Sequence, residues 1–381
     1  MKYNMSSVIK KAILGGIVVI FAFIIILSFN DIKTTINVIK KANVENLLIC
    51  LGIVVAYLFF YVLSFHILMR SRKINIRTRD IYLIGITEPF FNGITPSSSG
   101  GQPFQMYAYY RRGVSLKDSS VTLLMNFIVF MLGNNIFAFT SLIYYDEYVA
   151  KIPNFTWIVI FGFAMNFFIL FFFLALALSK HARNIMIAFV GWLSRRKLLK
   201  KVLAGKQEKF IQYCDGVQEG CKAILKNPLA FILAFISKMI AIALYNVLPF
   251  YGMRALGLDL SYDYFFYVML GTAFATAMVI WMPTPGAVGG IELAFSSIFI
   301  TLPGTTKAIA TAGMCIWRLY TFYLLLIVGF SCYMIFEMKE KKYRKYLAEH
   351  EIEKPENNDE AAIDTVEVIN ENNENDEKEE L

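Results

Sequence analysis

Thr284-Pro285-Gly286-Ala287-Val288-Gly289-Gly290-Ile291-Glu292 is a Pro/Gly-rich break ending in a carboxylate, set between two apolar runs too short to be comfortable membrane spans. Thr95-Pro96-Ser97-Ser98-Ser99-Gly100-Gly101-Gln102 repeats its skeleton, T-P-x-x-x-G-G followed within two residues by Gln or Glu, and also lies between short apolar runs. Backbone that leaves the helix at membrane depth exposes unpaired N–H and C=O groups, so it persists only where protein or a water-filled cavity shields it. Two such breaks in corresponding positions of two halves point to an internal repeat with a transporter-like site between the copies. The plainer reading is a pair of ordinary Gly/Pro kinks, common in membrane helices. The matched skeleton favours the repeat.

The rest of the chain is consistent with that setting. Hydrophobic residues make up 57% and charged residues 17% of 381 positions, with several apolar runs of about 18 residues or more, which is the signature of a polytopic membrane protein. The formal charge of +8 conceals a segregation, because the stretch from Glu349 onward holds 14 acidic and 2 basic residues. The remainder carries 35 Lys+Arg against 15 Asp+Glu, a net +20 suited to an anionic lipid surface. Nothing resembles a nucleic-acid-binding module, and basic loops are what membrane orientation requires. The five cysteines form no C-x-x-C pair, and His66, His181 and His350 are isolated from one another, so neither a disulfide framework nor a zinc site is expected.

Hydropathy and charge bias predict an all-α polytopic membrane protein with six full spans and two re-entrant hairpins in an inverted repeat. The spans are expected near 12–29, 47–69, 121–144, 156–178, 228–252 and 309–336, with Asn227-Pro228 as the N-cap and first residue of the fifth. The first repeat covers 1–144 with its hairpin at 81–110. The second covers 145–348 with a basic cytoplasmic insertion at 179–227 and a hairpin at 264–302. Clusters such as Arg70-Ser71-Arg72-Lys73, Arg111-Arg112 and Lys339 to Lys345 place both termini in the cytoplasm, so the hairpins open to opposite sides. Residues 349–381 read as an acidic disordered tail.

Ionisable residues at bilayer depth are costly and mark candidate sites. Glu88 lies in the first hairpin, Glu292 opens the half-helix after Gly289-Gly290, and Arg318, Lys238 and His66 lie in spans. Glu292 and Arg318 are read as acting on a lipid phosphate or ammonium group, with backbone donors freed by the break; helix capping and simple neutralisation are the alternative. Lys238 and His66 are read structurally, each snorkelling or pairing with another buried group. Gly100, Gly101 and Gln102 offer backbone and amide groups in the first hairpin. Arg111 and Arg112 at its mouth anchor the chain or bind a lipid phosphate. No hydrolytic triad, Walker loop or nucleotide fingerprint is present in the sequence, and no cofactor is expected.

Asn92-Gly93-Ile94-Thr95-Pro96 through Gly100-Gly101-Gln102 to Arg111, Pro283-Thr284-Pro285-Gly286 through Gly289-Gly290-Ile291-Glu292, and Trp317-Arg318-Leu319-Tyr320 resemble the lysylphosphatidylglycerol synthase transmembrane family. This is the flippase-like membrane domain of the multiple peptide resistance factor, and the resemblance covers about Ile9 to Phe336. It implies a cell-membrane protein that binds phosphatidylglycerol or lysylphosphatidylglycerol and moves the aminoacyl lipid outward, conferring resistance to cationic peptides. In the full-length enzymes a soluble domain transfers lysine from lysyl-tRNA to phosphatidylglycerol. In this sequence an acidic tail follows the last span, so a carrier is expected rather than a phosphatidylglycerol lysyltransferase. Gln102 stands where many relatives have an acidic residue, which weakens proton coupling there. Other membrane-only relatives handle polyprenyl-linked sugars or glycolipids. A scaffold for a separate lipid synthase, and an oligomer, are the remaining expectations.

Overall fold

In the computed structural model, residues 37–95, 98–149, 156–194, 207–279, 281–282, 284–287 and 289–349 are described. The expected first span and the acidic tail lie outside them. Among the described residues the fold is entirely helical, and five helices are long and apolar enough to cross a membrane.

The first described span, α1 (Val44–Ser71), is capped by Asn43, whose side chain accepts from the Asn46 N–H at 3.2 Å. Three short helices follow, α2 (Thr78–Gly85), α3 (Glu88–Gly93) and α4 (Gly101–Tyr110), over the stretch where a re-entrant hairpin at 81–110 was expected. Pro89 and Gly93 delimit α3: the proline sits in its first turn and the glycine ends it. The second span is α5 (Leu116–Ser141), capped by Ser115 on the Asp118 N–H and continued through a 3-10 turn into α6 (Tyr145–Val149). The third, α7 (Thr156–Leu178), has the expected bounds. Helices α8 (Lys180–Ser194) and α9 (Gln207–Leu225) occupy the basic insertion. The fourth span is α10 (Pro228–Ala255), with Asn227 accepting from the Ala230 N–H at 3.3 Å as the Asn-Pro pair predicts.

After α10 come α11 (Phe265–Val279), a 3-10 turn at Pro285–Ala287 and α12 (Gly290–Phe299). The last span is composite. It runs from α13 (Lys307–Arg318) through a π-helical turn at Leu319–Tyr323 into α14 (Leu324–Glu349), extending beyond the expected end at 336.

Packing follows side-chain size and polarity. In the most apolar 18 residues of each span, 67% of those in the α5 span are buried but only 22% of those in α7, which presents Trp157, Phe161, Phe168 and Phe171 outward, as a lipid-facing helix does. Gly162 of α7 lies so close to α11 that a Cβ there would meet the Met278 Cα at 2.5 Å. Such small residues set helix approach in membranes, where lipid offers apolar groups no penalty. Helices α1 and α10 pack along their length, and α10 donates into α1 twice: Ser237 Oγ to Phe60 O at 2.8 Å and Lys238 Nζ to Tyr61 O at 2.9 Å.

The segments around the two breaks pack crosswise. Helices α2 and α3 lie against α14, while α11 lies against α5 and α7. The breaks also meet each other, because α3 touches the Pro285–Ala287 turn.

Candidate functional site

Both glycine-proline breaks are held by side chains that replace lost helical hydrogen bonds. In the first, Thr95 Oγ1 donates to Phe91 O at 2.7 Å and accepts from the Gly100 N–H at 2.9 Å. Asn92 Oδ1 accepts from the Gly101 N–H, also at 2.9 Å. In the second, Gly289 takes φ +95° and ψ −55°, a conformation that a side chain opposes. That geometry turns its N–H onto Glu292 Oε2 at 2.6 Å, the return half of a capping box. The backbone donors that the sequence suggested for a phosphate are thus engaged internally at Gly100, Gly101 and Gly289.

Glu292 and Arg318 are brought together. Glu292 Oε1 accepts from Arg318 Nε at 2.7 Å and lies 2.7 Å from Nη2 in the ion pair, while Nη2 donates to Gly286 O at 3.1 Å. The guanidinium carbon lies 5.2 Å from the Phe322 ring centroid and 5.6 Å from that of Trp317. The π-helical turn begins immediately after Arg318, and such turns interrupt helices most often at functional positions. The two residues are 5% and 4% exposed, so neither charge is solvated by bulk water. Their attraction and the two backbone contacts together offset the desolvation of both ions.

A second charged group occupies the first break. Glu88 is buried, accepts from Gln105 Nε2 at 3.3 Å, and is reached by the side chains of Tyr61 and Asn92. Lys238 is electrostatically coupled to it and is wholly buried, with its ammonium 3.7 Å from the Tyr61 ring centroid. Of the two readings for Lys238, pairing with a buried group therefore holds and snorkelling does not. His66 accepts from Arg70 Nε at 3.1 Å, a local bond one helical turn away.

Between these two groups lies a cavity of about 300 Å³. Glu88 and Arg318 line it, and their partners Lys238 and Glu292 stand behind them, outside the lining. Its walls combine Tyr57 and Tyr61 of α1, Asn126 and Asn134 of α5, and Tyr245 and Asn246 of α10 with Ser98, Gln102, Gly286 and Trp317. Trp281 and Trp317 also line it, and among the described residues their indole N–H groups have no hydrogen-bond partner. A cavity with one acid, one base and several amides among apolar walls is chemically fitted to a polar group that is both hydrogen-bonding and charged.

Other sequence candidates sit elsewhere. Gly100, Gly101, Gly289 and Gly290 support the breaks without lining the cavity, and Gln102 lines it. Arg111 and Arg112 are remote from the cavity lining. Arg111 forms an ion pair with Glu340 of α14, while Arg112 lies 5.1 Å from the Phe336 ring and 3.8 Å from Asp80. Burial, chiefly, pulls the Arg112 guanidinium below its ordinary range, with Arg111 adding to the effect and Asp80 opposing it. Sequence reasoning missed Gln105, Tyr61 and Asn92 as partners of Glu88, and Glu340 as a buried acid inside a basic cluster. An i,i+4 relation between Glu88 and Asn92 was the available signal for one of them.

Helices that present apolar faces outward and buried ion pairs inward, around a partly open cavity of mixed polar and apolar lining, define a multi-pass helical membrane protein. The profile of the lysylphosphatidylglycerol synthase TM region matches residues 12–329, and the chain belongs to that family. No curated protein matches the chain.

Proposed function

We propose that this protein binds an anionic or aminoacylated phospholipid, with its head group in the central cavity, and carries it across the bilayer. The observation that carries the reading is the presence of one lining acid, Glu88, and one lining base, Arg318, in a single cavity. A head group bearing both a phosphate and an ammonium, such as lysylphosphatidylglycerol, complements both: phosphate at the Arg318 guanidinium, ammonium at Glu88 and the tyrosine rings. Phosphatidylglycerol satisfies the first contact and offers hydroxyls to the asparagines. Family membership supports lipid handling as the general activity.

The proposed architecture is six spans and two re-entrant hairpins, inverted with respect to each other, in the cell membrane with both termini cytoplasmic. Crosswise packing supports it: the first hairpin lies on the last span of the second half, and α11 of the second hairpin lies on α5 of the first half. Counterpart spans α1 and α10 pack against each other, as a pseudo-twofold axis between them requires. Alternating access then corresponds to rocking of the halves about the α1–α10 contact.

Purified protein in liposomes tests the activity. Accelerated movement of labelled lysylphosphatidylglycerol between leaflets, without added lysyl-tRNA, is the expected result. Lysyl-tRNA-dependent synthesis of that lipid with no movement would replace the carrier by a transferase. Loss of binding to a lipid synthase on deleting residues 349–381, with movement absent throughout, would replace it by a scaffold.

A further inference from the structure

Helix α8 (Lys180–Ser194) carries its apolar residues on the exposed face. Its exposed described positions are Lys180, His181, Asn184, Ile185, Ala188, Phe189 and Trp192, which from His181 on follow a spacing of three and four. Ile185 and Phe189 are each 58% exposed, and the Phe189 ring stacks on Trp192 with centroids 6.0 Å apart. The opposite face packs on α7 and α9, with Arg183 ion-paired to Asp215 of α9. Neighbouring α9 shows what a water-facing helix in this part of the molecule looks like. Its exposed positions include Glu208, Lys209, Gln212 and Glu219, and its apolar side is turned inward.

The position of α8 follows from the span before it. At 1.5 Å per residue, the 23 residues of α7 cover about 35 Å, enough to cross the hydrocarbon core and end at its boundary. Ser179 interrupts the helix, and α8 begins there. Charge points the same way: between Ser179 and Lys206 the sequence has eight Lys/Arg and no Asp/Glu. A basic, amphipathic helix with Phe and Trp on its apolar face, starting at the end of a span, has the features of a helix lying in the plane of a membrane surface.

We infer that α8 is an interfacial helix that inserts Ile185, Phe189 and Trp192 among the acyl chains of the adjacent leaflet, with Lys180 at its start and the basic sequence that follows it favouring anionic phospholipid head groups there. It is a second lipid contact, separate from the cavity. It concentrates anionic lipid beside α7 and holds whichever lipid occupies the centre. Arg195, Arg196, Lys197, Lys200 and Lys201 follow α8 in the sequence.

The test uses the full chain, with its native cysteines replaced, reconstituted in vesicles of phosphatidylglycerol and phosphatidylcholine. A polarity-sensitive fluorophore is attached in turn to Phe189→Cys, Ala188→Cys and, as the water-facing control, Gln212→Cys. A blue-shifted probe at 188 and 189, quenched about threefold more than at 212 by lipids labelled near the head group, is expected for an inserted helix. Quenching should fall about twofold when the vesicles contain phosphatidylcholine alone. Water-like emission without quenching at 188 and 189 would overturn the inference. So would blue-shifted emission that lipid labels do not quench, because protein then covers the face, either a second copy or another partner. Equal quenching in both vesicle types would overturn the anionic preference. Ala188→Cys removes no large side chain, so it remains readable where Phe189→Cys fails to fold.

Discussion

Arg318→Met and Glu292→Gln, singly and together, separate a structural ion pair from a binding site. Arg318→Met strands a buried carboxylate that retains one partner, the Gly289 N–H at 2.6 Å. Glu292→Gln strands a guanidinium that retains the Gly286 carbonyl at 3.1 Å. Breaking a buried pair from one side costs about 3–5 kcal/mol, or roughly two to four decades in the folding equilibrium. The glutamine can still accept from Gly289, so the Glu292 single variant belongs at the lower end of that range. In the double variant no charge is left unpaired and methionine fills much of the space of the arginine stem, so most of the stability should return. The assays are thermal unfolding of detergent-solubilised protein and lipid movement in liposomes, normalised to folded protein. If Arg318 holds lipid phosphate, the double variant recovers its folding yet moves lipid about tenfold more slowly, which corresponds to about 1.4 kcal/mol of lost interaction. Wild-type movement in the folded double variant would refute the binding role and leave a structural pair.

Lys238→Met should destabilise more than Glu88→Gln, because it leaves a buried carboxylate with neutral donors alone, whereas the amide at 88 still meets Gln105 and Tyr61; equal loss in thermal unfolding would contradict the coupling of the two charges. Single cysteines at Ser98 and Val288 should be labelled from opposite sides of the membrane, with Lys117 and Asp263 as exposed controls; labelling of both from one side would end the inverted repeat. Asp118 is unsuitable as such a control, since it accepts from Arg72 at 2.5 Å. Cys221, whose thiol burial pushes up to about 12 against the opposing pull of Arg72, should resist maleimide at pH 8 in the folded protein and react on denaturation. At that pH only about one molecule in ten thousand carries the thiolate. Glu340→Ala should lower stability, by up to about 3 kcal/mol, because it removes the buried carboxylate that pairs with Arg111; an unchanged midpoint of thermal unfolding would contradict this.

Much of the site was legible in the order of residues because membrane burial makes rare residues informative. A Pro/Gly break or a charge in an apolar run demands compensation, so the matched skeletons at Thr95 and Thr284, and Glu88, Glu292 and Arg318 beside or beyond them, were visible before any fold. Local chemistry also set the Asn227 cap and the bounds of Thr156–Leu178. Partnership is a different matter. Arg318 lies 26 positions from Glu292, Lys238 lies 150 from Glu88, and Glu340 lies 229 from Arg111, so which cation meets which carboxylate depends on how helices cross. The same holds for the use of the freed backbone donors, which side chains at Asn92, Thr95 and Glu292 already occupy, and for the outward-facing apolar stripe of α8. Sequence alone determined that this chain is a helical membrane protein whose two interrupted segments must be shielded together. Only the tertiary structure decided which charges face the cavity and which stand behind them, because helical periodicity defines a face but not the neighbour against which that face packs.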